Sequence, residues 1–147
     1  MAAQTLKDKV VLITGGAKNL GGLISRKFAE QGAKLAIHYN SESSKADAEK
    51  TLAEVKALGI DAILLQADLS SIDRIEELFV KTKQHFGGID IAINTVGRVL
   101  KKPIVDTTEA EFDSMSDINS KIAYFFIQSA GRHLNDGGKI CTIVTSL

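Results

Sequence analysis

Five short apolar runs alternate with longer segments of helical periodicity, and this alternation restricts the fold of the chain more than any other feature. The first run, Val10–Thr14, is rich in β-branched residues and is followed directly by glycines. Runs of this length and composition predict strands, and apolar residues that recur every three or four positions predict helices. Strands separated by helices join through right-handed crossovers and lie parallel in one sheet. The pattern therefore predicts an α/β fold with a parallel sheet that is covered on both faces.

The same periodicity, together with glycine and capping signals, predicts the element boundaries. Strands are expected at about 10–14, 35–37, 62–65, 89–93 and 140–145. Helices are expected at about 20–31, 44–58, 71–86 and 118–134, with a short one after Thr108. Ser70 with Asp73 and Thr108 with Glu111 are predicted caps. The expected strand order is 3-2-1-4-5, a doubly wound sheet whose ligands bind at the carboxyl ends of the first and fourth strands.

A glycine-rich turn joins the first predicted strand to the first predicted helix. It reads Thr14-Gly15-Gly16-Ala17-Lys18-Asn19-Leu20-Gly21-Gly22. Glycine lets the backbone turn tightly and approach a pyrophosphate, and a helix N-terminus offers N–H groups and the positive end of a dipole. We therefore expect the backbone amides of residues 15 to 22 to bind a diphosphate. A plain strand-to-helix connection is the alternative, and the position in the first βαβ unit favours a cofactor site.

Three motifs, in order along the chain, resemble those of the short-chain dehydrogenase/reductase family. The turn resembles Thr-Gly-x-x-x-Gly-x-Gly, with Asn19 at the middle glycine; asparagine tolerates positive φ better than most residues, so the turn should persist. The stretch 67–69 (Ala-Asp-Leu) resembles the family's Asp-Leu/Val pair, and 94–97 (Asn-Thr-Val-Gly) resembles Asn-Asn-Ala-Gly. The resemblance covers the whole chain and implies a Rossmann fold. It implies these cofactor-binding residues: Gly15, Lys18, Asn19, Leu20, Gly21, Asp68, Leu69, Asn94 and Gly97.

Two of these residues have simpler interpretations that the sequence leaves open. Asp68, whose family equivalent accepts a hydrogen bond from the adenine amino group, could be an ordinary loop or cap residue. Asn94 could act mainly on the sheet, which its family equivalent also steadies.

The end of the second strand bears on the choice of cofactor. NAD-binding folds of this kind usually place an Asp or Glu there to bind the ribose 2′-hydroxyl, whereas this chain reads Ile-His-Tyr-Asn-Ser at 37–41. Without that carboxylate a 2′-phosphate is not repelled. Lys18 adds a cation, and Asn40 and Ser41 could donate hydrogen bonds to the phosphate. We predict NADP(H) rather than NAD, although Lys18 could be merely solvated and the serines could simply open the next helix.

The resemblance also implies hydride transfer between the nicotinamide and a carbonyl or alcohol carbon of a small-molecule substrate. Ser146 matches the serine that orients the carbonyl, and Asn119 matches the helix asparagine that supports a proton relay. A strand-end cap and an ordinary helix residue are the alternatives. The family's Tyr-x-x-x-Lys pair is not among the 147 residues, whose tyrosines are Tyr39 and Tyr124. We expect the chain to end before that pair and the last strands, and we expect negligible turnover from it.

Composition limits the other function classes. The chain has 18 basic and 18 acidic side chains, which argues against nucleic-acid binding, and we expect no metal site because its histidines are scattered. Its apolar runs are strand-sized and its start lacks a secretory signal, so we expect a cytoplasmic protein without a membrane segment. The single cysteine, Cys141, lies in a predicted buried strand, where we expect an inert packing thiol.

We expect residues 1–147 to form one dinucleotide-binding domain and the full-length form to be a homo-oligomer. Two other function classes stay open at this point. One is a non-catalytic nucleotide-binding or regulatory module, and the other is a flavodoxin-like domain that binds FMN.

Overall fold

A five-stranded parallel sheet organises residues 5–144, the part of the chain that this computed structural model describes. Its strands are β1 (Val10–Thr14), β2 (Lys34–Tyr39), β3 (Ala62–Gln66), β4 (Ile91–Asn94) and β5 (Lys139–Thr142). Their spatial order is β3-β2-β1-β4-β5, and every neighbouring pair is parallel. The predicted α/β class and strand order are confirmed. The order reverses between β1 and β4, so the predicted site lies at the carboxyl ends of these two strands.

Helices cover both faces of the sheet. They are α1 (Asn19–Glu30), α2 (Lys45–Ala57), α3 (Ile72–Phe86), α4 (Glu109–Ser116) and α5 (Ile122–His133), and a π-helical segment (Asp117–Lys121) joins the last two. Short 3₁₀ turns occupy Glu42–Ser44 and Ile104–Asp106. Because Ser116, Asp117 and Lys121 all keep helical dihedrals, α4 and α5 form one continuous helix where the sequence predicted two. Within residues 5–144 no helix is both long and apolar enough to cross a bilayer.

The core is divided by the sheet because successive side chains of a strand point to opposite faces. On one face Leu12 of β1 packs with Phe79 of α3 and Phe126 of α5, whose ring centroids lie 5.1 Å apart. On the other face Val11 and Ile13 pack with residues of α1 and α2. All five residues of β1 are buried, as expected for the central strand of a sheet covered on both sides.

Two predicted caps have different outcomes. The capping box at α4 is confirmed: the Glu111 amide donates to the Thr108 hydroxyl, and the Thr108 amide donates to the Glu111 carboxylate. The predicted cap at Ser70 is wrong, because α3 is preceded by Ser71, which makes no side-chain cap bond. The Ser70 amide instead donates to the Asp68 carboxylate at 3.0 Å, which forms a local turn before the helix begins.

Cys141 corrects another expectation. Its thiol was expected to be buried, but Cys141 is exposed. Cys141 lies on β5, one of the two edge strands of the sheet, and the nearby Ile140 and Ile143 are also exposed. An edge strand has a partner on one side only, so apolar composition alone does not bury it.

A half-buried carboxylate, that of Glu76, joins α3 to α5. Glu76 of α3 accepts a hydrogen bond from the Ser129 hydroxyl at 2.5 Å and pairs with the His133 ring, which stacks on Phe79. Burial alone would raise the pKa of Glu76, but the bonds from His133 and Ser129 outweigh it and hold the pKa below its ordinary value of 4.5. The ionised carboxylate therefore stabilises the fold at neutral pH, and this contribution declines as the pH falls below 4.5.

We expect Glu76→Gln to lower the free energy of unfolding at pH 7 by about 1 kcal/mol, since Ser129 and His133 lose an ionised acceptor that solvent only partly screens. Glu77→Gln is the matched control, because the Glu77 carboxylate pairs with Arg74 and Lys81 on the surface of α3. Urea unfolding of the two variants measures the effect. If Glu77→Gln lowered the free energy of unfolding as much as Glu76→Gln, the stabilising role of the Glu76 contacts with Ser129 and His133 would be contradicted.

Candidate functional site

The turn after β1 is shaped by a close approach between two glycines. A Cβ atom on Gly21 would lie 2.0 Å from the Gly15 carbonyl oxygen, so no side chain fits at position 21. Gly15 has φ 68° and Asn19 has φ 51°, both in the left-handed region. The prediction that Asn19 can adopt the positive φ of the missing glycine is confirmed.

Side chains from other parts of the fold hold the backbone of this turn. Each of four consecutive residues has a main-chain group bonded by such a side chain. The pairs are Thr95 Oγ1 to Thr14 O (2.8 Å), Gly15 N to His38 Nδ1 (3.0 Å), Ser25 Oγ to Gly16 O (2.8 Å), and Thr51 Oγ1 to Ala17 O (2.6 Å). Ser25, His38 and Thr51 are buried. The turn is therefore preorganised by the loop after β4, by β2, by α1 and by α2.

These bonds narrow the set of amides that can face a ligand. The Gly15 and Gly16 amides donate to the ring and the carbonyl of His38, and the Gly22 amide donates to the Lys18 carbonyl. The expectation that all amides from 15 to 22 face a ligand is thus corrected for these three. The amides of residues 17 to 21 have no acceptor within the described part of the chain. They lie at the N-terminus of α1, where N–H groups and the helix dipole favour an anion.

A cleft of about 950 Å³ opens beside this turn at the carboxyl ends of the strands. It brings together six of the predicted residues, namely Gly15, Lys18, Asn40, Asp68, Leu69 and Gly97. His38, Tyr39 and Ser44 also line it and were not predicted as site residues. Asn19, Leu20, Gly21, Ser41, Asn94 and Asn119 do not line it, and Ser146 lies outside the described residues. Within 5–144 no cluster of His, Cys, Asp or Glu suits a metal ion.

Asp68 and Leu69 line one side of the cleft, where the first supplies a charged group and the second an apolar one. Asp68 is exposed, and the hydrogen bonds from Ser70, first of all from its backbone amide, hold the pKa of the carboxyl below its usual value. Leu69 is buried and belongs to the core under the cleft. The wall therefore combines an ionised acceptor with an apolar surface.

The side chain of Asn94 makes its hydrogen bonds within the protein. It is buried, and its side-chain oxygen accepts from the Thr14 hydroxyl at 2.7 Å and from the Val96 amide at 3.2 Å. It therefore ties the end of β4 to the end of β1. This position supports the interpretation that Asn94 steadies the sheet.

Asn119 lies on the π-helical segment and binds the loop after β4. Its side-chain oxygen accepts from the Arg98 amide at 2.9 Å, and its side-chain nitrogen donates to the Arg98 carbonyl at 2.8 Å. A Cβ on Gly97 would lie 3.0 Å from the Asn119 oxygen, so the contact also favours glycine at 97. Asn119 thus positions Gly97 and Arg98, which line the cleft.

Of the residues predicted to bind a 2′-phosphate, Lys18 and Asn40 are exposed and Ser41 is half-buried. The Lys18 ammonium lies 3.7 Å from the Asp47 carboxylate, and both side chains are half exposed. The Ser41 hydroxyl pairs with Ser43 at 2.9 Å, and the Asn40 carbonyl accepts from Gln66. The nearest acid along the chain, Glu42, pairs with Lys45 at 3.0 Å. Exposed pairs of this kind contribute little and separate readily.

Comparison with known proteins identifies the family. A family model described as enoyl-(acyl carrier protein) reductase matches residues 15–147. A short chain dehydrogenase of Claviceps purpurea is 38% identical over 135 residues, which cover 92% of this chain and 50% of that relative. The chain belongs to the short-chain dehydrogenase/reductase family. The resemblance predicted from the three motifs is confirmed.

Other members of the family agree in sequence and in fold. Versicolorin reductase 1 of Aspergillus parasiticus is 36% identical over 141 residues, which cover 96% of this chain and 52% of that enzyme. A dehydrogenase from Burkholderia cenocepacia, solved with bound NADP, is 60% identical with a TM-score of 0.93 over 99% of this chain and 55% of that one. A short-chain dehydrogenase from Oenococcus oeni is 49% identical with a TM-score of 0.85, over 97% of this chain and 64% of that one.

These matches confirm the Rossmann fold and decide against a flavodoxin-like domain. The relatives are named as dehydrogenases and reductases, so the family is enzymatic. The chain spans about half the length of the curated relatives it matches.

The contact between Gly21 and Gly15 leads to a prediction about stability. We expect Gly21→Ala to lower the free energy of unfolding by about 1–3 kcal/mol, because the new methyl group must displace the Gly15 carbonyl. Gly131→Ala in α5 is the matched control: nothing lies within 4 Å of its added Cβ, and alanine favours a helix, so this variant should be slightly stabilised. Urea unfolding distinguishes them, and equal midpoints for the two variants would contradict the steric argument.

The burial of His38 leads to a prediction about pH. Burial lowers the pKa of His38 below its ordinary value of 6.5, and the hydrogen bond to Ala67 opposes the shift only in part. The fold therefore favours the neutral ring: its contribution to stability is complete above pH 6.5 and is lost as the pH falls through the lowered pKa. We expect an NMR titration of the ring protons to give a midpoint below 6.5. A midpoint at or above 6.5 would refute the prediction, and His38→Asn should remove this part of the pH dependence of unfolding.

Proposed function

We propose that residues 1–147 form a dinucleotide-binding domain that binds NADP(H) in the cleft and contributes this part of an oxidoreductase. The observation that carries the proposal is the row of amides from 17 to 21, which have no protein acceptor within the described residues and lie at a helix N-terminus beside the cleft. When bound, the cofactor donates or accepts the hydride exchanged with a carbonyl or alcohol carbon of a small-molecule substrate. Membership in an enzymatic family supports the reaction class.

The residues present fit such a cofactor at its diphosphate. The absence of a side chain at Gly21 leaves the backbone of the turn closely packed, and the amides of Lys18, Asn19 and Leu20 are available to phosphate oxygens. Backbone donors and the α1 dipole stabilise a diphosphate without a bound cation. The four side-chain clamps keep these donors in place before the ligand arrives, which reduces the entropy lost on binding.

The adenosine half would lie toward Asp68. Its carboxylate, kept ionised by Ser70, can accept a hydrogen bond from an amino group of a base, while Leu69 belongs to the apolar layer beneath. Only an acceptor of this kind matches an exocyclic amine, which has no lone pair to offer. The carboxylate acceptor in the cleft thus fits adenine better than a base that presents a carbonyl at that edge.

The 2′-phosphate would meet Lys18, Asn40 and Ser41. Lys18 and Asn40 line the cleft, and Ser41 follows Asn40 in the sequence. In place of the acid that usually ends the second strand of NAD-binding folds, this chain has Tyr39 and Asn40. The NADP bound to the Burkholderia cenocepacia dehydrogenase, which is 60% identical to this chain, supports NADP(H) over NAD as the cofactor.

For the chemical step we propose two roles within this chain. Ser146, at the carboxyl end of the fifth strand in sequence, would donate a hydrogen bond to the substrate oxygen. Asn119 would hold the loop at 97–98 beside the nicotinamide side of the cleft and support proton transfer. Residues 1–147 contain no Tyr-x-x-x-Lys pair, so we propose that they bind cofactor but turn over negligibly by themselves.

Calorimetric titration of the chain with NADP⁺ and NAD⁺ tests the cofactor proposal. We expect tighter binding of NADP⁺, and we expect Lys18→Met to weaken it roughly fivefold, since one exposed charge pair contributes about 1 kcal/mol. Binding of NAD⁺ should not change in this variant. Lys27→Met, at the far end of α1 where the ammonium pairs with Glu30, is the matched control.

Each outcome of this titration bears on a separate part of the proposal. Equal or tighter binding of NAD⁺ would refute the preference for the phosphorylated cofactor. No heat from either dinucleotide with folded chain would refute the nucleotide site itself.

A further inference from the structure

One buried side chain connects the two halves of the proposed cofactor site. His38 of β2 is 1% exposed. Its Nδ1 accepts the Gly15 amide of the turn at 3.0 Å, and its Nε2 lies 2.9 Å from the carbonyl oxygen of Ala67, next to Asp68. The bonds thus join the diphosphate side of the cleft to the adenine side.

We infer that His38, as the neutral Nε2–H tautomer, is a positioning residue that fixes the distance between the diphosphate and adenine halves of the cofactor site. The inference rests on the proposed function, because it concerns how the same cleft holds its ligand. His38 acts through Gly15 and Ala67.

The partners of the ring determine its tautomer. The Gly15 amide can only donate, so Nδ1 must carry the lone pair; the Ala67 carbonyl can only accept, so Nε2 must carry the hydrogen. The opposite tautomer would break both bonds, and the imidazolium would break the bond to Gly15. Burial, which lowers the pKa of His38, acts in the same direction by favouring the neutral ring.

The backbone of His38 adds to this role. Its carbonyl accepts the Gly16 amide at 3.1 Å, so one residue holds two consecutive amides of the turn. With both amides bound inside the protein, residues 17 to 21 are left to meet the ligand. Ser25 and Thr51 are the other buried residues whose side chains bond to the turn. Within residues 5–144 these two side chains make hydrogen bonds to the turn only. His38 is therefore placed to set the separation of the two halves.

Two isosteric substitutions separate the two bonds. His38→Asn places an amide oxygen near the Nδ1 position and can keep the bond from Gly15. His38→Gln places an amide nitrogen near the Nε2 position and can keep the bond to Ala67. His38→Leu keeps neither, and Thr51→Val, which removes a clamp to the turn only, is the matched control.

The test compares a ligand that spans both halves with one that occupies a single half. NADP⁺ spans both, whereas 2′-AMP carries the adenine and the 2′-phosphate but no diphosphate. We expect His38→Leu to weaken NADP⁺ binding about tenfold and 2′-AMP binding less than about twofold, because loss of preorganisation affects chiefly the ligand that needs both halves aligned. His38→Asn and His38→Gln should each restore part of the NADP⁺ affinity. Thr51→Val should show no such difference between the two ligands after correction for folded fraction.

A second measurement needs no variant. ¹⁵N NMR of the imidazole in the ligand-free chain at pH 7 should show a protonated Nε2 and an unprotonated Nδ1. An Nδ1–H ring or an imidazolium would overturn the inference, as would equal loss of both ligands in His38→Leu or no loss of either. If the wild-type chain binds NADP⁺ and only these His38 effects fail, the positioning role is wrong and the proposed function stands. If the wild-type chain does not bind NADP⁺, the proposed function itself is wrong.

Discussion

The site depends on how closely the first turn of α1 approaches the end of β1. With the Gly21 Cα against the Gly15 carbonyl, the helix begins directly at the edge of the sheet, and its N-terminus, with its first amides, lies beside the cleft. A side chain at 21 would push the helix away and rotate these amides. The surrounding clamps then fix a turn whose shape has already been set by sterics. Rigid support of this kind is what allows backbone groups to recognise an anion without a charged side chain.

Much of the fold could be predicted from the sequence because the relevant signals are local. The β-branched runs and the spacing between them gave the strand order, the Thr108–Glu111 pair gave the start of α4, and the known backbone tolerance of asparagine gave the conformation of Asn19. The cap and the Asn19 conformation depend on a few adjacent residues, and the strand order depends on the regular alternation of strands and helices along the chain. The family motifs likewise located the turn and the loop at 67–69, both of which line the cleft.

Other features depend on residues that are distant in sequence. The exposure of Cys141 follows from the position of β5 at the sheet edge, which its apolar composition does not reveal. The continuity of α4 and α5 follows from a π-helical segment, which leaves Asn119 facing the loop after β4. The interpretation of the histidines as scattered residues overlooks the role of His38, because its partners lie 23 and 29 residues away along the chain. An apolar strand carrying a single histidine beside a glycine-rich turn is the signal that could have identified it.

The position of Lys18 implies that cofactor discrimination and diphosphate binding respond differently to ionic strength. Its ammonium lies on the surface, within reach of Asp47, while the amides of the turn belong to the backbone. Dissolved ions screen exposed charges over about 8 Å at physiological salt and act far less on groups held in a fixed, partly enclosed geometry. Rising salt should therefore erode the discrimination between the two nicotinamide dinucleotides before it erodes dinucleotide binding as such. In the proposed NADP(H) site, selectivity would then be a property of the surface, whereas affinity for the diphosphate would depend on the main chain.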